Sequence, residues 1–300
     1  MRSDLSLTEQ LFYTTIRIEC LKKNGSTSIG TGFVYIASDR VSASGQNESL
    51  NVLISNNHVV EDSILTTIWF HILDKDGNIL HGMQRKVELE GDSNWIKHNS
   101  LDLAFLGLYL PIEILKRQGY NPFFLGIADD LIPKPEEWSE IMPGEEVMMV
   151  GYPIGLWDSV NNLPILRRGT LASLPYINFE NKKEFMIDCA CFPGSSGSPV
   201  FLVNLGRKIT RKGVQIDDFD TKLIGILWGG PIFSANGKII PETNPTSTDS
   251  VSTNIMINLG YCIKSFALFE IEAMLISIVE KNQTDNTNIL QQKIIDSFER

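Results

Sequence analysis

The chain has 300 residues, of which 43% are hydrophobic and 21% charged, enough for a sizeable core and unlike a disordered composition. Its formal net charge is -10 at pH 7, so its surface repels nucleic acid and anionic membrane on average, and neither is expected as a partner. No run is apolar enough to span a bilayer and the opening MRSDLSLTEQLFYTT lacks a signal-peptide core, so a cytoplasmic location is the expectation.

In chain order, most segments read as short β runs. Phe12–Cys20 alternates weakly, and Gly32–Ala37 and Val52–Ser55 are compact β-rich runs. Ile64–Leu73, Leu103–Tyr109, Glu146–Val150, Ile165–Ser173 and Phe185–Cys191 follow, then Val200–Val203, Lys222–Leu227 and Ile255–Ile263. Gly, Pro, Asn and Asp clusters separate them, which favours barrels or sandwiches over alternating β/α units. Gly119–Gly144 holds few strand signals and reads as the connection between two β lobes. Ser265–Lys281 has apolar residues at helical spacing and reads as a helix docked on the second lobe. Asn282–Asn288 is a polar break; beyond it, Asn288–Arg300 reads as a short last helix or a fraying tail. Cys20, Cys189, Cys191 and Cys262 show no metal-ligand spacing, so free thiols, no metal and no other cofactor are expected.

The stretch FPGSSGSPVF, Phe192–Phe201, invites a chemical reading. A serine hydroxyl is a poor nucleophile that needs a base and donors for an oxyanion. Gly194 would allow a tight turn whose backbone N–H groups supply those donors, and Gly197 would let a substrate backbone approach beside Ser196. A serine-rich β-turn is the plain alternative, and the stretch alone does not decide between them. Of four histidines, His58 lies where the apolar strand of NVLISNNHVVED breaks into a polar corner. His71 and His81 flank a turn signal and read as surface residues, and His98 lies close before Asp102. Asp102 is a lone acid in LDLAFLGL, a costly residue to bury without a partner such as an imidazole N–H.

Four stretches, in this order, resemble the chymotrypsin-fold (trypsin-like) serine peptidases, and most of all the bacterial high-temperature-requirement type. They are GTGFVY (Gly30–Tyr35), SNNHVV (Ser55–Val60), LDLAFLGL (Leu101–Leu108) and IDCACFPGSSGSPVF (Ile187–Phe201). GYPIG, RRGTLAS, LIGILWGG and INLGYCIKS fit the second barrel of that family. The resemblance implies an all-β fold of two antiparallel six-stranded β-barrels with a C-terminal α-helix. The first barrel would span residues 1–125 and carry His and Asp, the second 126–264 and carry Ser, and a helix and tail would occupy 265–300. It implies His58 as general base and acid, Asp102 orienting its ring and Ser196 as nucleophile. The backbone of Gly194, Ser195 and Ser196 would form the oxyanion hole, and Ala190, Leu227, Trp228 and Gly229 would line the substrate pocket.

Three departures qualify that transfer. Ser195 stands where the secreted digestive branch has an aspartate that pairs with a newly cut N-terminus, so activation by that ion pair is not expected. Ala190 stands where trypsin-like pockets carry an acid, so an apolar substrate side chain is expected there. Ser198 replaces the usual second glycine after the nucleophile. With few residues after the helix, a PDZ-like module is not expected in this stretch. The implied activity is endopeptidase cleavage of a protein or peptide substrate, restrained by a regulatory protein partner, a disordered cleft loop or narrow specificity. The alternative is a catalytically silent pseudopeptidase that binds peptides.

Overall fold

The computed structural model of the chain describes residues 2, 4–41, 47–153, 156–211, 213–238 and 250–278. It divides into two units, Met1–Ser265 and Phe266–Arg300. The first is built almost wholly from antiparallel strands. The second contains a helix over 267–278, and the polar break and last-helix reading beyond it lie outside the described residues.

The chain opens on a helix rather than on the alternation read over Phe12–Cys20. Helix α1 (Leu7–Thr14) starts from a reciprocal cap in which Glu9 N donates to Ser6 Oγ at 3.3 Å and Ser6 N donates to Glu9 Oε2 at 2.7 Å. Two orphan amides are satisfied at once, which outweighs a weak period-two pattern. Strand β1 (Thr15–Lys22) then begins, followed by β2 (Thr27–Val41) and β3 (Asn47–Ser55). A single turn of helix, α2 (Asn57–Val60), carries His58 and leads into β4 (Ser63–Leu73) and β5 (Ile79–Glu90). Strands β6 (Ile96–Lys97) and β7 (Ala104–Gly107), helix α3 (Tyr109–Arg117) and strand β8 (Asn121–Phe123) complete the lobe. Alternate β1 residues Ile16, Ile18 and Cys20 face a core shared with Val34, Leu53 and Phe70.

The expected first barrel is not closed by strand pairing. The strands run β5-β4-β1-β2-β3-β7-β6, with β8 added against β4. Two-residue β6 ends the path: it pairs with β7 alone and, among the described residues, makes no ladder back to β5. Buried Trp95 packs into the core just before it.

The second lobe is a closed six-stranded barrel, as expected. It uses β9 (Glu146–Gly151), β10 (Ile165–Leu171), β11 (Glu184–Asp188), β12 (Pro199–Thr210) and β13 (Gly213–Gly229). After a ribbon of β14 (Ile232–Lys238) and β15 (Ser250–Met256), β16 (Leu259–Lys264) returns to the barrel. The barrel order is β10-β11-β16-β13-β12-β9. The single strand read over Ile255–Ile263 is therefore two, divided at Asn258, whose φ of 60° breaks the extended run. Phe185, Ile187, Val200, Phe201, Ile224 and Ile226 are fully buried.

Candidate active site

The polar corner after β3 holds the first half of the site. Asn56 caps the α2 turn in an extended conformation, and its side-chain amide donates to the Asp102 carbonyl at 2.8 Å. The His58 amide donates to Asp102 Oδ1 at 2.9 Å, and His58 Nδ1 lies 2.5 Å from Asp102 Oδ2. The carboxylate thus grips both the backbone and the ring of one residue. A carboxylate is an acceptor, so Nδ1 carries the proton in the neutral ring and Nε2 is left as the acceptor. This answers how Asp102 is tolerated beside Leu103, Ala104 and Phe105, all buried.

His98 is placed otherwise. Its Nδ1 accepts from Ser100 N at 3.2 Å and Leu101 N at 3.1 Å, holding the loop before Asp102. His71, read as a surface residue, is buried edge-on against Tyr13 at 5.1 Å. Burial pulls its pKa down to about 4.

The serine stretch is a tight turn. Gly194 has φ 88° and Gly197 φ 86°, where a Cβ is strained. Ser195 N donates to Phe192 O at 3.0 Å, and Ser198 N to Ser195 O at 3.0 Å. The Ser195 amide, counted above among the oxyanion donors, is therefore engaged inside the turn. Among the described residues the amides of Gly194 and Ser196 have no backbone acceptor. Gly197 N donates to Leu227 O at 2.8 Å and Leu227 N to Ser198 O at 2.9 Å, tying the turn to β13.

Thr31, on β2, fastens this turn to the first lobe. Its amide donates to the Ser196 carbonyl at 2.9 Å, and its Oγ1 donates to the Gly194 carbonyl at 3.0 Å. The same Oγ1 accepts from Tyr152 N at 2.9 Å. Ser55, three residues ahead of His58, donates its hydroxyl to the Thr31 carbonyl at 2.8 Å. A Cβ on Gly197 would fall 1.9 Å from that carbonyl and 2.8 Å from Ser55 Oγ. The Ser196 peptide and the His58 corner are thereby held to one strand. Thr31 and Ser55 escaped the sequence reading; the one signal was a threonine between two glycines in GTG.

The Ser196 hydroxyl points to the carbonyl of Trp228 at 3.5 Å. No hydrogen bond joins it to the His58 ring among the described residues. Of the expected pocket residues, Trp228 stacks on Tyr261 at 5.6 Å, Leu227 is buried and Gly229 pairs with Tyr261. The Ala190 carbonyl accepts from the guanidinium of Arg167, which also lies 4.8 Å over the Phe192 ring. Arg167 also escaped the sequence reading. A cavity of 460 Å³ lies between Leu101, Asp102, Lys183, Glu184, Trp228 and Ile263. A second, of 370 Å³, is lined by Lys22, Asn24, Ser26, His58, Glu61 and Asp62.

The thiols do not compete as nucleophiles. All four cysteines are free and buried, and burial lifts the Cys191 thiol to about 12 and Cys262 well above its ordinary range. Among the described residues there is no cluster of three His, Cys, Asp or Glu side chains that could hold a metal. No described helix is long and apolar enough to cross a membrane.

A closed barrel and an open sheet, joined at a serine turn beside a His–Asp pair, define a class of two-lobed β proteins. The model of one family within that class, the trypsin-like peptidase domain, matches residues 30–209. That is more than half of the chain, and the chain belongs to this family. Among curated proteins, none matches the sequence. The chain is similar to the solved HtrA-type protease AlgW with tripeptide at 15% identity, covering 91% of this chain and 62% of that one with a TM-score of 0.44. It is similar to the serine endoprotease from Yersinia pestis at 14% identity, 90% and 65% coverage and a TM-score of 0.44. It is also similar to the active form of the Rv3671c protease from M. tuberculosis at 14% identity, 85% and 77% coverage and a TM-score of 0.41. The chain spans 62% of the length of the AlgW chain.

Proposed function

We propose that the chain is a serine endopeptidase working through an acyl-enzyme on Ser196. The observation that carries this reading is the His58–Asp102 pair at 2.5 Å, which leaves Nε2 free to accept a proton. Ser196 Oγ attacks the scissile carbonyl as Nε2 takes its proton, and the amides of Gly194 and Ser196 receive the oxyanion. The imidazolium, stabilised by Asp102, then protonates the leaving amine, and water hydrolyses the ester by the same proton path. The substrate is a protein or peptide.

The pocket around Ala190, Leu227, Trp228 and Gly229 takes an apolar side chain. Arg167 beside the Ala190 carbonyl adds a fixed positive charge that disfavours Lys or Arg there. Cleavage of a peptide library mainly after Lys or Arg would overturn this specificity.

One observation favours a second reading, a silent peptide-binding module: the Ser196 hydroxyl faces Trp228 O at 3.5 Å rather than the His58 ring. Hydrogen bonds between catalytic side chains are often long or unformed in the free protein and tighten only with substrate. A fluorophosphonate probe discriminates. A stoichiometric adduct on wild-type protein that is lost in Ser196→Ala supports the peptidase. A wild-type protein that takes no probe while still binding peptide establishes the module.

A further inference from the structure

The one-turn helix that presents His58 is short, and its carbonyls can be followed individually. Asn56 O accepts from Val59 N at 3.2 Å and Asn57 O from Glu61 N at 2.7 Å, closing the turn on itself. Val60 O accepts from Ser63 Oγ at 2.7 Å. The three that remain, on His58, Val59 and Glu61, all accept from Lys22 Nζ, at 3.2, 2.7 and 2.6 Å. An ammonium has three N–H donors, so its capacity is filled by this turn alone. The carbonyl end of a helical turn carries partial negative charge, which a cation complements.

Lys22 is aimed there by its own backbone. The β1–β4 ladder shifts register between Leu21 and Lys22, a bulge of the kind that redirects a side chain. The following turn is closed by Lys22 N to Ser26 O at 2.8 Å and Gly25 N to Lys22 O at 2.9 Å, with Gly25 at φ 82°. Lys23 N then donates to Asp62 O at 2.9 Å, clipping this turn to the end of the His58 corner. Of the nearby carboxylates, Asp62 pairs with Lys23 at 2.8 Å, Asp92 with Lys97 at 3.4 Å and Glu61 with Lys97 at 4.0 Å.

We infer that Lys22 is a positioning residue for His58: its ammonium locks the backbone of the turn, so that the ring meets Asp102 with Nε2 correctly aimed. The inference rests on the peptidase reading above. Asp102 fixes the ring from one side; Lys22 fixes the peptide from which it hangs. Loss of the ammonium leaves three carbonyls to water and lets the turn fray.

The test is the kinetics of fluorophosphonate labelling of the full chain. In Lys22→Met, the maximal inactivation rate should fall at least tenfold, while the probe concentration for half-maximal rate stays within twofold. Lys22→Cys should behave alike, and 2-bromoethylamine, which rebuilds an ammonium of lysine length, should restore most of the rate. The native cysteines are all buried, so the same treatment of folded wild type should leave labelling unchanged. Recovery on one folded polypeptide separates positioning from misfolding. Labelling of Lys22→Met within twofold of wild type, or no recovery on aminoethylation, overturns the role of Lys22 and leaves the peptidase reading standing. Wild type that takes no probe, or Ser196→Ala that takes as much, overturns the peptidase reading and this role with it.

Discussion

His98 Nδ1 is already occupied by the amides of Ser100 and Leu101, whereas the His58 ring gives Nδ1 to Asp102 and keeps Nε2. His58→Ala should therefore reduce probe labelling by roughly three orders of magnitude or more. His98→Ala loses the cap on the Ser100 and Leu101 amides, worth ~1 kcal/mol, and should keep most of the rate. Equal losses in the two variants would remove the basis for choosing His58. His71 makes a different prediction. Its folded-state pKa of about 4 lies below the ~6.5 of a free imidazole. The unfolded chain thus binds this proton first, so the stability from keeping His71 neutral is present above ~6.5 and is lost as pH falls toward 4. The loss amounts to about 3 kcal/mol at its limit. His71→Phe keeps a ring against Tyr13 and should show a shallower decline of stability from pH 6.5 to 4 in urea titrations; parallel declines would refute it.

The serine turn works because two of its residues lie at positive φ and one of them lies against a neighbouring strand. Gly197→Ala meets both problems, strain at φ 86° and a Cβ 1.9 Å from Thr31 O. Gly77→Ala meets only the first, having φ 85° and no atom within 4 Å. The Gly77 variant should lose ~1 kcal/mol, and the Gly197 variant at least ~2 kcal/mol more together with most of its probe labelling. Thermal melts of both variants decide it, and similar melting temperatures would mean that the turn yields without disturbing Thr31. Other elements also answer to local rules. The S-x-x-E cap at Ser6 and Glu9 starts α1, and Gly119 at φ 83° follows the end of α3. Both signals stand in the sequence, yet the weak alternation over Phe12–Cys20 overlaps the end of α1 and the strand pattern over Leu103–Tyr109 runs into the start of α3.

Across the first unit, Thr31 and Arg17 are among the residues that tie the open sheet to the barrel. Thr31 joins β2 to Gly194 and Tyr152. Arg17, buried on β1, lies 4.5 Å over Trp69 and 4.9 Å over Trp157, and donates from Nε to Asn162 Oδ1 at 3.2 Å. Thr31→Val keeps the volume and removes both hydroxyl bonds, leaving the Gly194 carbonyl and the Tyr152 amide without their partner. It should cost about 2–4 kcal/mol and slow probe labelling, because the Gly194 peptide frames the proposed oxyanion hole. Urea unfolding paired with labelling checks this. A loss of stability with labelling unchanged would show that the tie serves the fold and not the serine turn.

The order of motifs, with His58, Asp102 and Ser196 each in its own local context, was legible because residue type and short spacing carry it. So were the β-rich composition and the glycines the turn requires, since positive φ is a local demand. Whether the first lobe closes was not legible: closure depends on whether a two-residue β6 finds a second neighbour. Nor was the burial of His71, which Tyr13 and Phe123 bring about from distant parts of the chain. The supports of the site were hidden for the same reason. The Thr31–Gly194 bond spans 163 positions and the Lys22–His58 bond 36. A hydroxyl or an ammonium shows its partner only when folding has put a carbonyl within reach, and no pattern of neighbours along the chain encodes that distance.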